Sequence, residues 1–226
     1  MRIVEKTDNT QAVKALQKRL LENPRAFAVV VAGPSGVGKT TICRDVLETE
    51  SDVYRCVTTT TRQPRPEEIE GIERHFVSQD AFLEMLDRGV FIESAEVHGH
   101  LYGATLDAVD EAMKDGHVML MDVDVQGVAT WQKALGARCV TVFILPPTLE
   151  KLEERLALRQ TETVSNFQLR MKNAIEELRQ ASLCDYIIVN DNLSDAVISL
   201  QTIIRAERHR TSRMDAHLTQ LGLLKM

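Results

Sequence analysis

Three features that are scarce or missing in this 226-residue sequence narrow the classes of protein it can be. No apolar run approaches the roughly 20 residues that a membrane-spanning helix needs. The 33 acidic residues outnumber the 27 basic ones, and a net charge of −6 argues against a general nucleic-acid binder, which needs a basic excess. No secretory signal pattern is visible at the N-terminus. We therefore expect a soluble cytoplasmic protein with no membrane and no nucleic-acid partner.

Cysteine is also sparse, and its spacing fits neither a disulfide framework nor a metal site. The four cysteines include no CxxC pair and no metal-type spacing: Cys43, Cys56, Cys139 and Cys184. We expect free thiols in a reducing compartment, since neither a disulfide framework nor a zinc site has this pattern. The sequence gives no signal of oligomeric state, which stays open.

The order of apolar segments predicts an α/β fold. Short, continuous runs rich in β-branched residues are typical of strands buried on both faces, and they occur at 27–32, 118–121, 140–145 and 186–189. Helical spacing of apolar residues predicts helices at about 8–22, 39–47, 107–114, 148–159, 164–180 and 193–209. Strands that alternate with helices imply a mostly parallel sheet flanked by helices.

Two stretches do not follow this alternation. The segment from about 57 to 106 is rich in Thr, Arg, Pro and His, and we expect it to form a small subdomain inserted in a main domain of residues 27–210. Residues 1–26 are expected to be a helical extension. Residues 211–226 are polar and basic at first and then Leu-rich, and we assign no function to this tail.

The strongest functional signal is GPSGVGKT at residues 33–40, a full match to the GxxxxGK[ST] pattern. Glycines let successive backbone N–H groups point at phosphate oxygens, and the helix that follows directs its positive end at the same anion. A buried strand precedes the loop and a helix follows it, as a P-loop NTPase fold requires. The expected ATP-binding residues of this loop are Gly33, Pro34, Ser35, Gly36, Val37, Gly38, Lys39, Thr40 and Thr41.

Two residues of that loop have chemical roles of their own. The Lys39 ammonium is expected near the β- and γ-phosphates of a nucleoside triphosphate, and the Thr40 hydroxyl is expected to ligate Mg²⁺, with waters completing the coordination. The expected cofactors are therefore ATP and Mg²⁺.

A second anion site is suggested by the inserted segment, which contains TTTTRQPRP at residues 58–66. Arg62 and Arg65 lie three residues apart on a proline-stiffened turn, and guanidinium groups bind phosphate through paired N–H donors. A solvated basic loop is the equally weighted alternative from composition alone.

Several motifs together resemble those of guanylate kinases over about residues 27–204. They are GPSGVGKT, TTRQPRP, HFVS, FIESAEVHGHLYG, DVDVQG at 122–127, FILPPTLEKLEERL and IVND at 188–191. The resemblance implies phosphoryl transfer from ATP to GMP, and also to dGMP, in purine nucleotide metabolism. It also implies a monophosphate-binding insertion at about 57–106 and a lid at about 155–172.

The resemblance assigns roles residue by residue. Arg62, Arg65 and the Tyr102 hydroxyl would hold the GMP phosphate, while Glu93 and Thr58 would bind the guanine edge. The Asp122 and Asp124 carboxylates, beside the P-loop, would help to order Mg²⁺, its waters or the acceptor. Asn190 would lie where the family approaches adenine. Three lid arginines would close over the triphosphate, and they are Arg155, Arg159 and Arg170. Lys39, Arg62 and these three arginines form the expected catalytic set.

The sequence departs from the family pattern around the acceptor. Arg74 stands where the family usually has a phosphate-binding tyrosine, and we expect it to bind the GMP phosphate with a different geometry. Ala104 replaces a Ser or Thr hydroxyl that contacts the base, and Gln160 replaces a lid glycine. Trp131 is expected to be a packing residue, and the Glu176–Glu177 pair is expected to lie on a solvated helix face.

Two alternatives stay open from the residues. The first is a kinase of the same fold with a different monophosphate acceptor, which Arg74 and Ala104 favour. The second is a non-catalytic interaction module that kept the fold, which the intact P-loop argues against.

Overall fold

The computed structural model of the protein describes residues 2–3, 10–23, 25–66, 68–97, 99–157 and 164–223. Within these ranges the strands are β1 (Arg2–Ile3), β2 (Phe27–Ala32), β3 (Val53–Arg55), β4 (Thr58–Thr60), β5 (Arg74–Phe76), β6 (Phe91–Val97), β7 (His100–Thr105), β8 (Val118–Asp122), β9 (Cys139–Leu145) and β10 (Tyr186–Val189).

The helices within the same ranges lie between and after these strands. They are α1 (Thr10–Glu22), α2 (Lys39–Thr49), α3 (Gln79–Asp87), α4 (Leu106–Ala112), α5 (Gly127–Leu135), α6 (Leu149–Ala157), α7 (Val164–Leu178), α8 (Leu193–Arg208) and α9 (Asp215–Gln220). Short 3-10 turns occur at Lys114–Gly116, Gly136–Arg138, Ala181–Leu183 and Thr211–Arg213.

The main sheet is parallel, with strand order β10-β9-β2-β8-β3. Every residue of its central strand β2 is buried, because helices cover both faces. Residues Ala28, Val30 and Ala32 face a core that contains side chains of α1, α4 and α5. The alternate residues of β2 face a second core, formed with α2 and α8. This arrangement confirms the predicted parallel sheet flanked by helices.

The second sheet is mixed and thinner, with strand order β1-β6-β7-β4-β5. Its pairs are antiparallel except for β4 and β5, which run parallel. One small apolar cluster, built on Phe82, Leu86 and Phe91, packs α3 against it. Strands β4 to β7 all come from the inserted segment, so this segment supplies four of the five strands of the second sheet.

The sequence predicted four strands of the parallel sheet, β2, β8, β9 and β10, and these are confirmed. It missed β3 and all strands of the mixed sheet, including the seven-residue β6 and the six-residue β7. Strand β3, with three residues, and β1, with two, are too short for a periodic signal. The helix predicted at 107–114 ends at Ala112, and a 3-10 turn follows in which Asp115 has a φ of 56°. Residues 158–163 lie outside the described part of the chain, as does the predicted end of the helix at 148–159.

The C-terminal tail, to which the sequence assigned no role, packs against the main sheet. Arg213 is 2% exposed, donates to the Glu207 carbonyl at 2.8 Å, and lies over the Phe27 ring at 4.2 Å. Its guanidinium also pairs with the Glu207 carboxylate. The tail therefore supports the beginning of β2, at the end of the strand opposite to the P-loop.

Candidate functional site

The candidate site lies where β2 and β8 end side by side. The two strands are parallel neighbours, with Val31 paired to Asp122, so the loop after β2 and the acidic end of β8 meet at one edge of the sheet. Residues 33–38 form a tight turn after β2, and α2 begins at Lys39. This strand–loop–helix arrangement is the context that the phosphate-binding motif needs.

Two glycines of this loop are required by their surroundings. Gly33 has a φ of 141°, and a Cβ there would lie 2.6 Å from the Ile144 carbonyl oxygen of β9. Gly38 caps α2 with a φ of 101°, and a Cβ there would collide with the Asn190 side-chain nitrogen. Close approach to neighbouring chain segments, together with a left-handed backbone, therefore fixes glycine at both positions.

Lys39 is folded back into the loop. Its Nζ donates to the Gly33 carbonyl at 2.5 Å and to the Pro34 carbonyl at 3.0 Å. Burial lowers the pKa of Lys39, and the nearby Asp122 and Glu177 carboxylates act in the opposite direction. The loop thus holds a cation at the beginning of α2, where the N-terminal end of a helix also favours an anion such as a triphosphate.

The next residue, Thr40, is bonded to the end of β8. Its hydroxyl donates to Asp122 Oδ2 at 2.8 Å, which brings two hard oxygen ligands together beside Lys39. A hydroxyl and a carboxylate at this position fit Mg²⁺, which prefers oxygen ligands and keeps several waters. Among the described residues, no group of three or more His, Cys, Asp or Glu side chains is arranged to hold a metal by itself. The protein residues present therefore fit a metal that is bound partly through a phosphate and waters.

Asn190 follows β10 and lies directly beneath the P-loop. Its side chain is 5% exposed and donates to the Val37 carbonyl at 2.7 Å. The Arg155 Nη2 donates to the Asn190 carbonyl at 3.0 Å, and Arg155 Nη1 is buried without a hydrogen-bond partner in the described part of the chain. Asn190 thus holds the loop in position, and its expected contact with adenine stays a prediction.

The second half of the expected lid is also in contact with the loop. Arg170, on α7, donates to the Ser35 hydroxyl at 3.3 Å. On the same helix, Glu177 is half-buried rather than solvated, so the interpretation of the Glu176–Glu177 pair as a solvated face is wrong for this residue. Burial raises the pKa of Glu177, and Lys39 and the Ser35 amide act in the opposite direction. Only Glu176 is exposed, paired with Arg179 at 2.9 Å. Arg159 lies outside the described residues.

The acceptor residues lie on neighbouring strands of the mixed sheet. Thr58 on β4 is paired in register with Arg74 on β5, and Thr60 with Tyr102 on β7. Arg74 donates to the Thr58 hydroxyl, and its guanidinium lies over the Tyr102 ring, 5.4 Å from the ring centre. Burial lowers the pKa of Arg74, because a desolvated cation is disfavoured. Within the described residues, no carboxylate forms an ion pair with it.

Arg62, unlike Arg74, is paired with a carboxylate. Its Nη2 donates to both oxygens of Glu68, at 2.7 and 2.9 Å, and its Nη1 donates to the Gln63 carbonyl at 2.6 Å. The hydrogen bond from Arg62 is the main reason why the pKa of Glu68 falls to about 2. The Arg65 backbone also donates to Glu68, at 2.8 Å, and the Arg65 side chain is exposed. The sequence reasoning missed Glu68, although its place six residues after Arg62 in an acidic run was visible.

Glu93 on β6 is the expected guanine ligand, and its environment is unusual. Burial and the Asp124 carboxylate raise the pKa of Glu93 to about 7, while the Trp131 indole lowers it. A Cβ on Gly127 would lie 3.1 Å from Glu93 Oε1, so α5 begins against this carboxyl group. Ala104, on β7, is fully buried and paired in register with Glu93. Trp131 is fully buried, as predicted, and its indole lies close enough to Glu93 to affect the pKa of that residue.

Donor and acceptor residues are thus close enough to influence each other. Asp124 affects the pKa of both Lys39 and Glu93, and Asp122 affects that of Lys39 and Arg74. The two carboxylates at the end of β8 therefore lie between the P-loop and the acceptor residues.

In the described part of the chain, no helix is both long and apolar enough to cross a membrane.

Comparisons with known proteins agree with this geometry. The guanylate kinase family model matches residues 25–207. A guanylate kinase of Clostridium perfringens (strain SM101 / Type A) is 35% identical over 91% of this chain and 94% of its own length. A guanylate kinase of Rhizobium etli is 40% identical over 84% of this chain and 86% of its own length.

A solved structure gives the same result for the fold. The crystal structure of guanylate kinase from Anaplasma phagocytophilum superposes with a TM-score of 0.69 and 27% sequence identity, covering 88% of this chain and 96% of that one. A phosphate-binding loop beside an arginine-rich acceptor sheet, a matching family model and near full-length relatives lead to one conclusion: this chain belongs to the guanylate kinase family.

Proposed function

We propose that this protein catalyses the transfer of the γ-phosphoryl group of ATP to GMP, with dGMP as a second acceptor, giving GDP or dGDP and ADP. The observation that supports this most directly is the meeting of two anion-binding regions at the ends of β2 and β8. Lys39 lies on one side, Arg62 and Arg74 lie on the other, and Asp122 interacts with residues of both. An enzyme that joins two phosphates needs two adjacent sites of this kind.

On the donor side, residues 33–41 would bind the ATP phosphates through backbone N–H groups and the start of α2. The Lys39 ammonium would leave its contacts with the Gly33 and Pro34 carbonyls and pair with the β- and γ-phosphates. Asn190 would keep the loop in shape through its bond to Val37 and approach adenine at its outer edge.

Mg²⁺ would be held by the Thr40 hydroxyl, with Asp122 and Asp124 ordering its waters. When bound, the metal neutralises negative charge on the β- and γ-phosphates. The hydrogen bond between Thr40 and Asp122 supports this assignment because it places both oxygens next to the P-loop.

On the acceptor side, Arg62, Arg65, Arg74 and the Tyr102 hydroxyl would hold the GMP phosphate. Arg74 has no competing carboxylate among the described residues, whereas Arg62 must exchange at least part of its contact with Glu68 for the phosphate. Glu93 would accept hydrogen bonds from guanine N1–H and the exocyclic amine, and Thr58 would bind the ring edge.

The transfer itself needs no covalent intermediate. A phosphate oxygen of GMP attacks the γ-phosphorus in line, the bond to the β–γ bridging oxygen breaks, and ADP leaves with that oxygen. Lys39 and the arginines compensate the charge on the transferring group. Residues 155–172 would act as a lid that brings Arg155, Arg159 and Arg170 over the triphosphate and excludes water.

Two observations favour a second candidate, a kinase of the same fold with a different monophosphate acceptor. Arg74 is a charged residue at a position where the family has an aromatic hydroxyl, and Ala104 offers no hydroxyl beside Glu93. Glu93 favours guanine, because a carboxylate pairs well with two adjacent N–H donors.

The buried thiols of Cys43 and Cys56 fit the cytoplasmic location that we infer.

Product identification tests the proposal. The protein is incubated with ATP, GMP and Mg²⁺, and nucleotides are separated by anion-exchange chromatography. We expect ADP and GDP in equal amounts, little ADP without GMP, and no products in excess chelator. ADP formation that does not depend on any monophosphate would identify an ATPase and contradict the proposal.

A further inference from the structure

Helix α5 touches the proposed base-binding carboxylate at two successive turns. Gly127 and Trp131 are four residues apart and therefore lie on the same face of the helix. The position of a Cβ on Gly127, 3.1 Å from Glu93 Oε1, shows that this face packs against the Glu93 carboxyl group. The beginning of α5 thus borders the Glu93 carboxyl group on that side.

Trp131 brings an unusual polar group to this contact. Its side chain is fully buried, and its Nε1 has no hydrogen-bond partner of ordinary geometry among the described residues. A buried N–H without a partner is costly, and most such groups in proteins are paired. The indole is nonetheless near enough to the Glu93 carboxyl group to lower its pKa.

Two other titratable groups lie near Glu93, and neither stabilises its ionised form. Asp124, at the end of β8, raises the pKa of Glu93 by charge repulsion. Cys56, between β3 and β4, is buried and has a pKa of about 12, raised by burial and by Glu93, so it stays neutral. The Trp131 N–H is the donor among these neighbours that favours the ionised carboxylate.

We propose that Trp131 is a positioning residue for the acceptor base: its indole N–H pairs with the ionised Glu93 carboxylate and directs the remaining oxygen lone pairs to the guanine N–H groups. This inference rests on the proposed function, because it needs Glu93 to be the guanine ligand. The bond forms whenever Glu93 is ionised, with or without GMP, and it satisfies the otherwise unpaired indole nitrogen.

A first test uses the wild-type protein, since Trp131 is its only tryptophan. Indole fluorescence is recorded without nucleotide as the pH is varied. We expect the emission to titrate with a midpoint near the pKa of Glu93, about 7, and the same titration to be absent in Glu93→Gln. A fluorescence signal that is flat through this range, or that titrates equally in Glu93→Gln, would overturn the proposal.

A second test removes the N–H and keeps an aromatic ring. In Trp131→Phe we expect the KM for GMP to rise about tenfold or more at pH near 7.5, with kcat and the KM for ATP within about twofold, as for loss of a hydrogen bond to a charged group. The acidic limb of the pH profile for GMP should also move to higher pH. Phe143→Leu, which removes ring volume from the same core, is the control and should leave that profile in place.

Two outcomes separate this inference from the proposed function. If Glu93→Gln loses GMP selectivity but Trp131→Phe keeps the wild-type KM and pH profile, Trp131 has no positioning role and only this inference is wrong. If Glu93→Gln binds GMP as the wild type does, the base assignment itself is wrong and both fall. When the inference is correct, Trp131→Phe has no further effect on the KM for GMP in a Glu93→Gln background.

Discussion

The parallel sheet and the mixed sheet of this protein hold their functional groups by different physical means. In the parallel sheet, β2 is buried on both faces, and the P-loop is shaped by contacts with Ile144 and Asn190 that leave room only for glycine. In the mixed sheet, a small cluster packs α3 on one side, Ile92 and Ala104 reach the main core, and the functional side chains are arginines and a glutamate. Packing therefore shapes the donor site, whereas charge and desolvation shape the acceptor site.

Substitutions in the two sites should therefore have different effects. A change in the donor loop should damage turnover, and where it disturbs packing it should also reduce stability. A change in the acceptor sheet should alter the KM for GMP and its dependence on pH, and should leave ATP binding and the fold nearly unchanged.

The largest effect is expected for Lys39→Ala. Loss of the cation that faces the transferring phosphoryl group should lower kcat by about a thousandfold, in the range known for removal of a major electrostatic contact. Lys39 is a desolvated cation, so its removal should leave the melting temperature unchanged. Steady-state kinetics and thermal unfolding measure the two quantities, and the exposed Lys133→Ala is the control. Wild-type-like turnover in Lys39→Ala would remove the basis for the donor site.

Gly38→Ala should affect both turnover and folding. The new methyl group meets Asn190 Nδ2 in a backbone conformation with a φ of 101°, so we expect a loss of about 2 kcal/mol in the free energy of unfolding and a roughly hundredfold lower kcat. Gly136→Ala is a matched control, because Gly136 has a positive φ of 53° but no atom within 4 Å of a Cβ. This control should show only a backbone cost of about 1 kcal/mol and normal kcat. Equal effects at the two glycines would show that the contact with Asn190 is unimportant.

Lys39 and Gly38 also illustrate what could be predicted from the sequence. The P-loop is a local pattern: eight consecutive residues between a buried strand and a helix specify its backbone, and the structure places them as predicted. The strands at 27–32, 118–121, 140–145 and 186–189 were equally accessible, because continuous apolar runs predict strands, although Ile187 and Val189 of the edge strand β10 are exposed rather than buried. Arg62, Arg74, Glu93 and Tyr102 were named from their motifs, and their roles remain predictions.

What the sequence could not show depends on contacts between distant residues. Three contacts join segments that are far apart in the chain. Arg213 is buried against the Phe27 ring, Glu177 approaches the P-loop, and Trp131 lies beside Glu93. No periodicity marks them, and a glutamate pair on a helix has the same appearance whether solvated or buried. Strand β1 is missed for a different reason, since two residues carry no pattern.

A smaller, selective effect is expected for Arg74→Ala. Loss of one guanidinium contact to the phosphate should raise the KM for GMP by about 10- to 100-fold, while the KM for ATP changes less than about twofold. Arg88→Ala, at the exposed end of α3, controls for the loss of a positive charge near this sheet. An equal rise in the KM for ATP would mean that Arg74 does not belong to the acceptor site alone.

The mildest effect is a dependence on pH. Because the pKa of Glu93 is raised to about 7, the ionised form that accepts guanine N–H groups is present above this pH and is lost as the pH falls through it. We expect kcat/KM for GMP to fall by up to about tenfold per pH unit below pH 7, and kcat/KM for ATP to fall less. In Glu93→Gln, the part of this dependence that belongs to the carboxylate should vanish. An unchanged acidic limb in that variant would assign the titration to another group.

The central claim is that two differently built sites combine to phosphorylate a guanine nucleoside monophosphate. The most direct measurement is kcat/KM for GMP, dGMP, IMP and AMP at saturating ATP and Mg²⁺. The account predicts that GMP is the best acceptor, with dGMP next and AMP at least about a hundredfold poorer, because AMP leaves the buried Glu93 carboxylate without its N–H partners. A preference for AMP, or no turnover with any of the four, would contradict it.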